Sequence, residues 1–157
     1  MKKFYLIICI LLLIFIIFNF NTLKNLVEEF IYFNKANENY VSKAYNMDIT
    51  CKKRIGHDFV FYGRDNETNE YAYVLFVFRK GIYKVYENEG ISKEEAIQVF
   101  KKYGKDAALD DMSIFIWNAF RKGENIIDYV FWYIENEEHR DFRYRVRFSD
   151  GVFFNFE

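Results

Sequence analysis

The chain has 157 residues, and its 22 basic and 23 acidic side chains leave a net charge of −1. That balance argues against a nucleic-acid-binding protein, which needs a concentrated positive surface to displace counterions. Aromatics reach 22%, with 19 Phe and 13 Tyr, and proline is absent; so much ring area can close a core even in a small unit, and no Pro-rich docking segment exists.

The first element is apolar. Met1-Lys2-Lys3 leads into an unbroken run from Phe4 to Phe18, interrupted at Asn19 and resumed at Phe20. As helix, residues 4–20 span about 25 Å, close to the roughly 30 Å hydrocarbon core of a bilayer. With two lysines before the run, the positive-inside rule places the N-terminus in the cytoplasm and the body outside. The rival reading is a cleaved signal peptide, which needs small residues after the apolar region. Here the chain reads Phe18-Asn19-Phe20-Asn21-Thr22-Leu23, and the first alanine is Ala36. Cys9, preceded by Leu6-Ile7-Ile8, sits too early for a lipid-modified cysteine. Residues 1–21 are therefore expected to be an uncleaved single-pass signal-anchor.

Beyond the anchor, residues 22–87 match 92–157 without gaps. Asp58-Phe59-Val60-Phe61-Tyr62 lies against Asp128-Tyr129-Val130-Phe131-Trp132, and Gly81 against Gly151. Each copy reads as one helix followed by four strands. The first copy (22–88) has Thr22 at a cap, a stripe of Leu23, Leu26, Val27, Phe30 and Phe33, and strands near 45–53, 59–62, 71–79 and 82–87. The second (89–157) opens on a capping box of Ser92 with Glu95, followed by Ala96, Ile97, Phe100 and Tyr103 on one face and a stop at Gly104. Its strands are predicted near 112–120, 126–134, 142–148 and 152–156, the last two joined by Ser149-Asp150-Gly151, a strong hairpin signal. The expected fold is α+β: a transmembrane helix, then two tandem units, each a helix packed on a four-stranded antiparallel sheet.

Strand faces distinguish the copies. Ala72, Val74, Phe76 and Phe78 form one side of a strand whose other side, Tyr71, Tyr73, Leu75 and Val77, is also apolar. A strand apolar on both faces is normally covered on both, so the second set is covered by the other copy, by a partner or in a dimer, and makes Tyr71, Tyr73, Leu75 and Val77 candidate partner-binding residues. In the second copy, Phe142, Tyr144, Val146 and Phe148 alternate with Asp141, Arg143, Arg145 and Arg147. Arg143, Arg145 and Arg147 are candidate ligands for an anionic polymer or lipid head group; the plainer reading is a solvated face paired with Glu135, Glu137 and Glu138.

No constellation indicates catalysis. His57 and His139 do not correspond between copies and have no metal-ligand spacing, Asp110-Asp111 reads as a turn, and Cys51 lacks a group to orient His57 as its base. No catalytic residue, metal or cofactor is expected.

The Lys-led anchor, the phrase Gly90-Ile91-Ser92-Lys93-Glu94-Glu95-Ala96-Ile97 and the terminal Tyr144-Arg145-Val146-Arg147-Phe148-Ser149-Asp150-Gly151 resemble the YpmB-like proteins of Gram-positive bacteria. The resemblance implies a tethered tandem of PepSY-like units with a cystatin-like arrangement, and defines no catalytic residues. Two functions are expected from these readings: a non-enzymatic module contacting an envelope protein such as a cell-wall hydrolase, or a sensor of an anionic envelope polymer or lipid head group.

Overall fold

The computed structural model describes residues 2–105, 107–108, 112–117, 121, 123–135 and 140–156, and gives the backbone alone for 2–4, 6–18, 21, 135 and 140–143. It falls into two compact units, residues 1–37 and 38–157. The first unit holds one helix, α1 (Lys2–Lys35). Nothing interrupts it, because the chain has no proline and its first glycine is Gly56. Its 34 residues extend about 51 Å at the α-helical rise. Among the described residues no helix is long and apolar enough to cross a membrane; residues 6–18, most of the apolar run, lie outside those whose side chains are described. The stripe expected to close the first repeat is exposed at Leu23, Leu26, Val27 and Phe30.

The second unit opens with a helix, α2 (Glu38–Tyr45), an element the sequence reading missed. Val41 is fully buried, and the Tyr40 ring meets Phe76 edge-on at 6.5 Å. Strands β1 (Met47–Ile55), β2 (Asp58–Asp65), β3 (Tyr71–Val77) and β4 (Gly81–Tyr86) pair antiparallel in sequence order. A bulge between Ile49 and Cys51 falls opposite Gly63, where a Cβ would overlap the Asp48 carbonyl. Helix α3 (Lys93–Lys102) starts with the expected box: the Glu95 N–H donates to Ser92 Oγ (3.1 Å) and the Ser92 N–H to Glu95 Oε2 (2.8 Å). The second sheet is β5 (Met112–Ile116), β6 (Val130–Glu135), β7 (Arg140–Arg147) and β8 (Phe153–Asn155), again antiparallel in order.

The duplication holds for part of each sheet. Moving β3 (71–77) by seventy residues gives 141–147, inside β7, and the same shift carries β2 and β4 over β6 and β8. It fails for the first strand, since β1 at 47–55 maps to 117–125 whereas β5 ends at Ile116. The first copy turns through Gly56-His57, with Gly56 at φ 62°. The second uses a longer connection containing a 3-10 turn (Ile126–Tyr129), capped where Asn125 Oδ1 accepts from the Ile127 N–H.

The two sheets lie in one compact unit, residues 38–157. Tyr73, Leu75 and Val77 of β3 lie in one core with Ala96, Ile97 and Phe100 of α3 and with Ile114, Trp132, Val146 and Phe148 of the second sheet. Each buried aromatic in such a core removes roughly 150–250 Å² from water, which lets two small sheets close together. The segment between them is fixed to the second sheet: the Ile91 N–H donates to the Phe148 carbonyl (2.8 Å) and Trp132 Nε1 to the Ile91 carbonyl (3.1 Å).

Candidate functional site

The candidate partner-binding face of β3 is interior. Tyr73 is 7% exposed and Leu75 and Val77 are 1% each; the Tyr73 ring stands edge-on to Trp132 at 5.9 Å and to Phe148 at 6.5 Å. These three residues are corrected from docking surface to core, covered by the second half of the same chain. Tyr71 alone is exposed, stacked on Tyr62 at 5.4 Å.

Arg145 and Arg147 lie on one face of β7 and behave differently. The Arg143 side chain lies outside the described residues, as do those of Glu135, Glu137 and Glu138. Arg147 closes the β7–β8 hairpin: Nε donates to Asp150 Oδ1 at 2.8 Å and Nη2 to Asp150 Oδ2. That guanidinium holds the Asp150 carboxyl below its usual range. Arg145 is set among rings, its guanidinium carbon 3.9 Å from the Trp117 ring centre, 4.4 Å from Phe156 and 5.4 Å from Phe115. Burial there lowers its pKa below the ordinary arginine value. Each such cation–π contact contributes about 0.5–1 kcal/mol when exposed and about 2 kcal/mol or more when desolvated.

Those rings continue across the sheet. Trp117 lies 4.8 Å from Phe156, Phe154 5.8 Å from Phe156, and Phe131 5.6 Å from Phe154. They floor an open depression of about 470 Å³, rimmed by Glu124, Asp128 and Tyr129. Glu124 accepts from the Tyr129 hydroxyl at 2.7 Å and the Arg121 N–H at 2.6 Å, which together lower its pKa. Trp117, Phe154 and Phe156 are half-buried, and Phe131 is buried. The chain matches no family model, no curated protein and no solved structure. Its own geometry is therefore the basis for assigning a role.

The sequence carried a signal for this face. Phe115 within β5 and Trp117 just beyond it stand two residues apart, as do Phe154 within β8 and Phe156 beyond it, so period-two alternation brings all four to the side that bears Arg145 and Arg147. The remaining candidates stay apart. Cys51 is an exposed thiol opposite Tyr62, whereas His57 lies in the turn beyond Ile55 and stacks on Phe78 at 5.4 Å. The four residue steps from Cys51 to Ile55 alone cover roughly 13 Å along the strand, and His57 lies beyond them. His139 and Asp110-Asp111 lie outside the described residues, among which no group of acidic, His or Cys side chains is placed to hold a metal.

A second concavity of about 500 Å³ opens between the sheets, with Tyr73, Met112 and Trp132 in its floor and Cys51, Lys53, Glu87, Lys93 and Glu94 around it. Lys53 Nζ donates to Ser113 Oγ, tying β1 to β5, and the Tyr62 hydroxyl donates to Glu87 Oε2 at 3.2 Å. The phenol pKa values of Tyr62 and Tyr73 are raised by burial first, and then by the charge of Glu87.

Proposed function

We propose that the chain is a non-enzymatic binding module of the YpmB-like kind, tethered to the cell membrane through residues 4–20 with its body extracytoplasmic. We further propose that it docks an envelope protein, such as a cell-wall hydrolase, through the outer face of its second sheet. The Lys-led apolar run supports the tether, and α1 gives it a continuous helical backbone. The observation that carries the docking surface is Arg145 seated on Trp117 and Phe156 beside further half-buried rings. Aromatic side chains and arginine are the residues that dominate binding energy at protein interfaces, because they present large, stiff contact areas with a polar edge.

The alternative, an anionic polymer or lipid head group bound by Arg143, Arg145 and Arg147, has less support. Arg147 is already neutralised by Asp150, and Arg145 is held by rings. A photo-crosslinking residue placed at Phe156 tests the main reading in intact cells, with the same residue at exposed Lys80 as control. One defined envelope protein captured from Phe156 and not from Lys80 is the expected result. Equal capture of abundant membrane proteins from both positions would refute the assigned face.

A further inference from the structure

We propose that the groove between the two sheets binds a small zwitterion with an apolar side chain, an α-amino acid bearing an aromatic or branched aliphatic group. This site is separate from the docking face, and it stands or falls independently of that reading. At about 500 Å³ the groove lies within the roughly 300–1,000 Å³ typical of small-molecule sites, and its lining has the usual character, an apolar floor with a few convergent polar groups. The floor is fixed. Tyr73, Met112 and Trp132 are 7%, 4% and 2% exposed, and Trp132 is oriented by its bond to the Ile91 carbonyl.

The charges around this floor select the ligand. Two carboxylates, Glu87 and Glu94, and two ammonium groups, Lys53 and Lys93, line the groove. Glu87 accepts from the Tyr62 hydroxyl at 3.2 Å, and both carboxylates raise the pKa of Tyr62 and of Tyr73, after burial. Lys53 is joined to Ser113 and therefore offers a cation and a hydroxyl together. Among the described residues the side chains of Lys93 and Glu94 make no hydrogen bond or ion pair with one another or with a neighbour. A fatty acid or simple anion would satisfy the lysines but bring its charge against the carboxylates; an amine would do the reverse. A zwitterion meets both, with its ammonium at Glu87 and Glu94, its carboxylate at Lys53 and Ser113, and its side chain on Tyr73 and Trp132.

The test is calorimetric titration of the full chain in detergent micelles with L-phenylalanine. Parallel titrations use N-acetyl-L-phenylalanine, which lacks the ammonium, L-phenylalaninamide, which lacks the carboxylate, and glycine, which lacks the apolar group. Saturable phenylalanine binding, at least tenfold weaker for each of the three analogues, is expected. Glu94→Gln should weaken phenylalanine binding at least fivefold, and bound phenylalanine should slow alkylation of Cys51, which lines the groove. No binding of phenylalanine by the wild-type chain overturns the proposal, as does equal binding of phenylalaninamide or of glycine. Because the analogue series uses the unmodified protein, a variant that fails to fold does not protect the idea.

Discussion

Leu75→Ala discriminates between a β3 face that is interior and one that awaits a partner. Leu75 is 1% exposed and pairs with Val60 on β2 and Tyr83 on β4, inside the core formed with the second sheet. The substitution removes three carbons, roughly 2.4 kcal/mol at about 0.8 kcal/mol per buried carbon. The cavity left behind adds to this, for a total of about 3–4 kcal/mol within the usual range for buried leucines. With a urea slope of about 2 kcal/mol per molar, the unfolding midpoint should fall by roughly 1.5–2 M. Near-UV circular dichroism of the full chain in micelles follows the transition, since the rings of this core are asymmetrically packed. Val152→Ala is the control, at 42% exposure; a surface change of this kind should stay within about 0.5 kcal/mol of wild type. Equal midpoints for the two variants would refute the assignment of this face to the core.

Gly90→Ala should also destabilise, by about 1–3 kcal/mol as an overpacking substitution. The backbone there is extended and open to any residue, but a Cβ would overlap the Phe148 ring and carbonyl, so the urea midpoint is the readout. Asp65 supplies a pH dependence. It is 2% exposed and accepts from Lys84 Nζ, the Tyr86 hydroxyl (2.7 Å) and the Glu67 N–H (2.8 Å), which together hold its carboxyl well below the usual carboxylate range. A depressed folded-state pKa contributes stability that is present above the unfolded value of about 3.9 and lost as pH falls through the folded value. Urea midpoints measured from pH 7 down to pH 2 should drop below pH 4, and Asp65→Asn should lower the pH 7 midpoint and flatten that drop. Asp150→Ala should lower the midpoint of the full chain by a smaller amount, because its pair with Arg147 and its bond from the Val152 N–H are surface-exposed turn contacts.

Local chemistry made part of this fold legible. Ser92 with Glu95 fixed the start of α3, Asp150-Gly151 the last hairpin, and period-two alternation the strands β3 and β7. The doubly apolar β3 was correctly expected to be covered on both sides, but alternation says nothing of what does the covering, and a partner was weighed where Trp132 and Phe148 stand. Helix α2 was missed because eight residues with one fully buried side chain, Val41, give no stripe to count, and so short a helix owes its stability to packing more than to propensity. The first strand of the second copy was expected over 112–120 and is found as β5 (Met112–Ile116); what fails at this point is the repeat match. The repeat was aligned without gaps, while the second sheet trades the Gly56-His57 turn for the longer 117–129 connection. The arginines were read against carboxylates at the end of the neighbouring strand, Glu135, Glu137 and Glu138, whereas Arg145 lies among rings from β5, β8 and the residues just beyond them, segments that approach it only through strand pairing.

The tether itself is tested most directly by the accessibility of Cys51 in intact cells. Cys51 is an exposed free thiol in the body, and the only other cysteine, Cys9, lies in the apolar run. A membrane-impermeant maleimide should label the chain before lysis, with the label abolished by Cys51→Ser and retained in the membrane pellet after an alkaline wash. Labelling that appears only after the cells are broken, or a labelled chain released into the wash, would contradict the account.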